Sequence, residues 1–348
     1  MGASTNKTVY FLGAGASHAS EYKLPCMQGF FRENDFKSED YSSLFKFIER
    51  KFSRLSFNEL NLEEVITFLE LSLDTFGSFG EHPENYIYGA RREFDQYVNH
   101  RLNTPELKGC CEHKRIVDKN LAGSDSKDSI ITLNYDLVVD NTLYELSPKE
   151  PEPYEKKLEH GCLLERMYGL LGRTVLFHGE RASLYHRDKE LGFYLKLHGS
   201  VDWLYCPNET CGNHQLFFPN WSGSEEVHDK AGDLCSLCGS PLANVIVPPT
   251  MHKSFEKFPK LGLLWSLAYR ELNKADRIII FGVSFAASDY YLRWLFNKAV
   301  RERANKPLIV DIDVEDSACE RIENITGIKP THRRRLDEFL EYEEDTCG

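Results

Sequence analysis

The chain has 348 residues, 41% of them apolar and 28% charged, with a formal charge of −12. These values suit a globular protein built as one large domain with an insertion, or as two domains. They exclude binding of nucleic acid through a generally basic surface, and no apolar run approaches the ~20 residues of a bilayer span.

Residues 9–12 (Val-Tyr-Phe-Leu) form a short apolar run that predicts a buried strand. Gly13, Ala14, Gly15, Ala16 and Ser17 follow as a turn into a helix, a form that lets backbone N–H groups approach a pyrophosphate. By itself this turn is equally consistent with a tight strand-to-helix connection. Residues 27–125 read as an inserted helical block. Within it Leu62, Val65, Ile66, Leu69 and Leu73 fall at helical spacing, as do Phe94, Val98 and Leu102.

The strand signal returns at residues 129–133 and ends in Asn134, Tyr135 and Asp136. Alternation puts Asn134 and Asp136 on one side if the strand continues. A polar residue there also caps a helix or turns the chain, so both roles stay open. Residues 148–160 read as a proline-rich loop, and 175–177 as a short strand. Residues 193–197 predict a firmer strand that delivers His198 beside Gly199. Residues 245–247 are expected to resume the sheet before Pro248 and Pro249. A helix is predicted over 261–273, a strand over 277–281 ending at Gly282, a helix over 288–303 and a last strand over 308–312. Ser284, Asp289 and Asp313 follow these later strands and are candidates for ribose or adenine contacts. Each is also a natural helix cap. Strands alternating with helices predict an α/β fold, with a doubly wound, mainly parallel Rossmann-like sheet. Ligands of such sheets bind beyond the carboxyl ends of the strands.

Ten cysteines without a signal-like N-terminus are expected in a reducing, cytoplasmic compartment. Cys206 and Cys211, then Cys235 and Cys238, form two close pairs that can supply a tetrahedral four-thiolate shell to structural zinc. His214 is a possible substitute ligand. A closed shell leaves no position for catalysis. Arg333, Arg334 and Arg335 read as a solvated face.

In order, these segments resemble the sirtuin family. The turn at 13–17, Leu-Asn-Tyr-Asp at 133–136, Lys-Leu-His-Gly-Ser at 196–200, the four cysteines and Gly-Val-Ser at 282–284 are similar to its nucleotide turn, Asn-Asp motif, His-Gly motif, zinc ribbon and second turn. Two segments depart from the protein deacylases of that family. Nothing from His18 to Phe31 matches their Gly-Ile-Pro-Asp-Phe-Arg segment, and Val-Ile-Val-Pro-Pro-Thr at 245–250 replaces their peptide-pairing strand. Proline lacks the N–H that strand addition uses. Thr-Leu-Asn-Tyr-Asp at 132–136, Lys-Leu-His-Gly-Ser-Val-Asp-Trp at 196–203, Val-Pro-Pro-Thr at 247–250 and Ser-Phe-x-x-x-Asp-Tyr-Tyr at 284–291 together resemble the prokaryotic sirtuin-like branch, whose members hydrolyse NAD in anti-phage defence.

The resemblance implies a Rossmann-like NAD-binding domain at 1–26, 126–205 and 244–348, a helical insertion at 27–125 and a four-cysteine ribbon at 206–243. It implies NAD+ as substrate, with Asn134, His198 and Asp136 catalytic, and Gly13 to Ser17, Gly282, Ser284, Asp289 and Asp313 on the nucleotide. It further implies a protein partner that senses infection, a homo-oligomer, and no membrane or direct nucleic-acid contact. Deacylation of proteins, ADP-ribosyl transfer and non-catalytic sensing of NAD or ADP-ribose are the alternatives.

Overall fold

The computed structural model describes residues 7–37, 39–78, 82, 84–102, 111–120, 128–146, 193–211, 232–247, 259–287, 289–314 and 316–339. The expected loop at 148–160, the strand at 175–177, His214 and the two prolines at 248 and 249 lie outside them. Contacts divide the chain into two units. The first comprises Met1–Lys23, Leu107–Leu197 and Ser254–Gly348; the second comprises Leu24–Glu106 and His198–Lys253.

In the first unit, β1 (Thr8–Leu12) leads into α1 (Ala14–Ala19). In the second, α2 (Ser42–Lys51), α3 (Leu62–Ser78) and α4 (Asn85–Leu102) follow two 3-10 turns. The chain returns to the first unit with α5 (Cys111–Asn120), β2 (Ser129–Thr132), α6 (Val138–Leu146) and β3 (Tyr194–Lys196). It crosses again for β4 (Gly199–Tyr205) and β5 (Ala243–Ile246). The rest belongs to the first unit: α7 (Pro259–Lys274), β6 (Arg277–Phe281), α8 (Tyr290–Phe296), β7 (Leu308–Ile312), α9 (Cys319–Thr326) and β8 (Thr331–Arg333).

The first unit is built on a six-stranded sheet of order β3-β2-β1-β6-β7-β8, with every pairing parallel. Its central strands are apolar without a break because both faces are covered. Alternate residues serve the two faces. Tyr10, Leu12, Ile279, Phe281, Val310 and Ile312 join one core with Ile116, Val139, Leu336 and Phe339. Phe11, of opposite parity, meets Phe296 of α8 edge to face at 5.0 Å, and Phe285 packs on the same ring at 5.0 Å. From β1 the strands build outward to β3 on one side, and from β6 to β8 on the other. The topological switch point therefore lies between β1 and β6.

The second unit has an aromatic core in which Phe31 stacks on Tyr97 at 5.4 Å and Phe36 lies 5.0 Å from the same ring. The apolar stripe expected of α3 is buried at Leu62, Val65, Ile66 and Leu69, and Asn61 starts that helix by accepting the Glu63 N–H at 2.8 Å. Buried charges in α4 have partners. Glu93 accepts the Leu44 N–H at 2.8 Å, and Arg91 pairs with Glu70 at 2.6 Å and with Asp95.

Three expectations need correction. Residues 245–247 do not resume the main sheet: β5 pairs antiparallel with β4 as a separate two-stranded sheet. Gly199 opens β4 where β5 passes close: its φ is +90° and a Cβ would stand 1.9 Å from the Val245 carbonyl oxygen. The predicted helix over 288–303 is α8 followed by a π-helical turn, Asn297–Arg301. Residues 308–312 are not the last strand, because β8 adds the outer edge. Among the described residues, no helix is long and apolar enough to cross a membrane.

Candidate nucleotide site and metal centre

The turn after β1 and the turn after β6 meet at the switch point. The Gly13 N–H donates to the Phe281 carbonyl at 2.9 Å, and the Gly15 N–H to the Gly282 carbonyl at 3.0 Å. This approach needs glycine on both sides. A Cβ on Gly13 would lie 2.4 Å from the Gly282 oxygen, one on Gly15 2.6 Å from the Gly282 Cα, and one on Gly282 2.2 Å from the Ala16 nitrogen. Gly282 also has φ +64°, the left-handed region. The glycines are thus required by backbone packing, whatever else the turn does. Two of the N–H groups expected to point at a phosphate already serve the protein, and the Ala16 N–H donates to the Gly13 carbonyl at 3.0 Å.

Asn134 and Asp136 join this turn. Asn134 Nδ2 donates to the Gly13 carbonyl at 2.9 Å and to Ser17 Oγ at 3.0 Å, while its own N–H donates to Thr132 Oγ1 at 3.0 Å. Ser17 is buried and its hydroxyl also bonds the Asp136 carboxylate. Asp136 accepts the Val138 N–H at 3.0 Å, opening α6. Burial raises the Asp136 carboxyl above its ordinary 3.8, opposed by the Lys196 charge and these hydrogen bonds.

Sequence reading passed over what supports this network. Lys196, fully buried in β3, donates from Nζ to the Asp136 carbonyl at 2.7 Å and to Asp140 Oδ2 at 2.9 Å. Tyr194 donates to the same Asp140 oxygen at 2.9 Å. A lysine inside the run Tyr-Leu-Lys-Leu was the available signal, since a buried ammonium demands a carboxylate.

The remaining candidates are placed as follows. His198 begins the second unit, is buried, and its carbonyl accepts the Val247 N–H at 2.9 Å. Ser284 is exposed, and its carbonyl accepts Arg321 Nε at 2.7 Å. Asp289 caps α8 by accepting the Leu292 N–H at 3.2 Å. Asp313 donates its N–H to the Arg333 carbonyl at 3.1 Å and accepts the Val314 N–H at 2.7 Å.

In the second unit, Cys206, Cys211, Cys235 and Cys238 bring four sulfurs together. Sγ of Cys206 lies 3.4 Å from that of Cys238, and Sγ of Cys211 lies 3.8 Å from that of Cys235. A tetrahedral ion about 2.3 Å from each thiolate sets these separations near 3.8 Å, so the residues fit zinc. Without an ion the thiols are uneven: burial pushes Cys206 up to about 12, and hydrogen bonds from Ser240 bring Cys238 down to about 6. Bound zinc would hold all four as thiolates and supply no chemistry to a substrate.

No protein-family model matches the chain, and no curated protein matches it in sequence. Solved structures do. A Sir2 homologue in complex with NAD is similar at a TM-score of 0.50 and 14% identity, over 98% of this chain and 91% of that one. A mutant Sir2 homologue in complex with ADP-ribose follows at a TM-score of 0.44 and 13% identity, over 98% and 93%. Sir2 bound to an acetylated peptide is similar at 0.44 and 14%, over 98% and 94%. The first likeness, at this identity, bears on the fold alone, and the fold is Sir2-like.

Proposed function

We propose that the chain hydrolyses NAD+ to ADP-ribose and nicotinamide as the effector of an anti-phage defence system. The observation that carries the reading is the joining of the 13–17 turn, Asn134 and Asp136 at the carboxyl ends of β1 and β2, beside the switch point where parallel sheets receive nucleotides. The Sir2 homologue of similar fold holds NAD.

Nicotinamide in NAD+ is a cationic leaving group. The C1′–N bond breaks with both electrons going to nitrogen, and a neutral base departs without a proton donor. Water then adds its oxygen to the oxocarbenium-like C1′ and gives a proton to a base. The amide nitrogen of Asn134 is engaged by the turn, which leaves Oδ1 to accept from a ribose hydroxyl or the water. Asp136 acts through Ser17, adding negative charge behind the developing cation. His198 is assigned the role of base, since an imidazole titrates near neutrality. In this reading 1–26, 126–205 and 244–348 bind NAD+, with contacts at 13–17, Gly282, Ser284, Asp289 and Asp313. The block at 27–125 or the C-terminal tail receives an activating partner or a second copy in the cytoplasm, and 206–243 hold structural zinc.

The test is product analysis by mass spectrometry after incubating the chain with NAD+ in ¹⁸O-water, alone and with the products of neighbouring genes. The reading predicts equimolar nicotinamide and ADP-ribose carrying one ¹⁸O. Nicotinamide release only with an acylated peptide, yielding an acyl-ADP-ribose, would contradict it.

A further inference from the structure

The outer edge of the sheet carries a second group of metal-ligating side chains. Asp311 of β7 and His332 of β8 are register partners on neighbouring parallel strands, so their side chains leave the same face. Cys319, the first residue of α9, completes the group, and the three potential ligand atoms lie within 4.8 Å of one another. Asp311 Oδ2 is 3.4 Å from Cys319 Sγ and 3.5 Å from His332 Nδ1.

Cys319 Sγ–H donates to Asp311 Oδ2, and hydrogen bonding accounts for less of the rest. Asp311 is 0% exposed, and its Oδ1 has no hydrogen-bond partner among the described residues. His332 Nδ1 is likewise buried and reaches Asp311 Oδ2 only at the long distance of 3.5 Å. A charge-assisted imidazole–carboxylate bond closes to about 2.8 Å, not 3.5 Å. A shared tetrahedral ion about 2.0 Å from oxygen and nitrogen and 2.3 Å from sulfur sets the S···O separation near 3.5 Å and N···O near 3.3 Å.

We propose that Asp311, Cys319 and His332 form a second zinc site, tying β8 and α9 to β7 and leaving one coordination position for water. Thiolate and imidazole select a transition metal over magnesium or calcium. Carboxylate, thiolate and neutral imidazole together carry two negative charges, matching the ion. Asp313 and Asp316 add negative potential, against the single charge of Lys329. Burial works against the charged ligands when no ion is bound: it raises the Asp311 carboxyl and pushes the Cys319 thiol up to about 11.

The test loads metal-free full-length chain with zinc for native mass spectrometry, and with ¹¹³Cd for NMR. The wild type is expected to hold two ions per chain, one ¹¹³Cd resonance reporting four sulfurs and one reporting mixed sulfur, nitrogen and oxygen. Cys319→Ser and His332→Gln should each lose the mixed resonance and weaken zinc binding there at least about tenfold in chelator competition. The wild-type measurement stands even if a variant folds poorly. A wild-type spectrum without a mixed-ligand resonance overturns the proposal, and so does a folded His332→Gln chain that retains it.

Discussion

At the carboxyl end of β2, Asn134, Asp136, Ser17, Lys196, Asp140 and Tyr194 form a closed network of hydrogen bonds and one ion pair. At the outer edge, Asp311 and His332 also bury polar atoms, but Asp311 Oδ1 has no hydrogen-bond partner among the described residues and His332 Nδ1 reaches Asp311 only at 3.5 Å. Buried polar groups left without partners cost about 1–3 kcal/mol each, so the contrast is informative. The first region is complete as a scaffold and offers a substrate only what the scaffold leaves over. The second gathers a carboxylate, a thiol and an imidazole, the ligand types on which the proposed metal site rests.

The largest expected break of the closed network is Lys196→Met. It removes the ion-pair partner of the fully buried Asp140 carboxylate, which keeps the Tyr194 hydrogen bond, and should cost about 3–5 kcal/mol in urea unfolding. A loss below about 1 kcal/mol would mean that the pair does not organise the region. Gly282→Ala tests the junction of the two turns. Its Cβ would meet the Ala16 nitrogen at 2.2 Å in a left-handed backbone, and roughly 2–4 kcal/mol of destabilisation is expected. Asp289→Ala should cost about 1 kcal/mol by thermal melting, and Asp289→Ser should restore most of it, because serine also caps.

The smallest effect is a pH slope. Burial raises the folded-state value of Asp136 above its ordinary 3.8. The folded chain thus holds this proton more tightly than the unfolded chain. The contribution is fully present below about pH 3.8 and is lost as pH rises through the raised value. Asp136→Asn should flatten the decline of stability across that window in pH-dependent unfolding.

Strands β1, β2, β6 and β7 were legible because each is an apolar run ended by a polar or glycine turn. The four cysteines were legible from spacing alone. β8 was not: Thr-His-Arg has no apolar pattern, and only its pairing with β7 makes it a strand. The separate β4–β5 sheet was hidden because an apolar run such as 245–247 does not reveal which strand it pairs with, and its partner is β4. At the site, the glycines of 13–17 were read either as access for phosphate or as a tight strand-to-helix connection. Their first requirement is the close approach of Gly282, a contact between segments some 270 residues apart in sequence. Asp289 illustrates the ambiguity of a strand-end carboxylate, since capping α8 was always one of its two roles.

The central claim is tested most directly by nicotinamide release from NAD+, comparing the wild type with Asn134→Ala and His198→Ala after melting curves show all three folded. The account predicts that each variant loses about a hundredfold or more in turnover, because each removes a group that acts on the breaking bond or the incoming water. Undiminished turnover in both folded variants would contradict it.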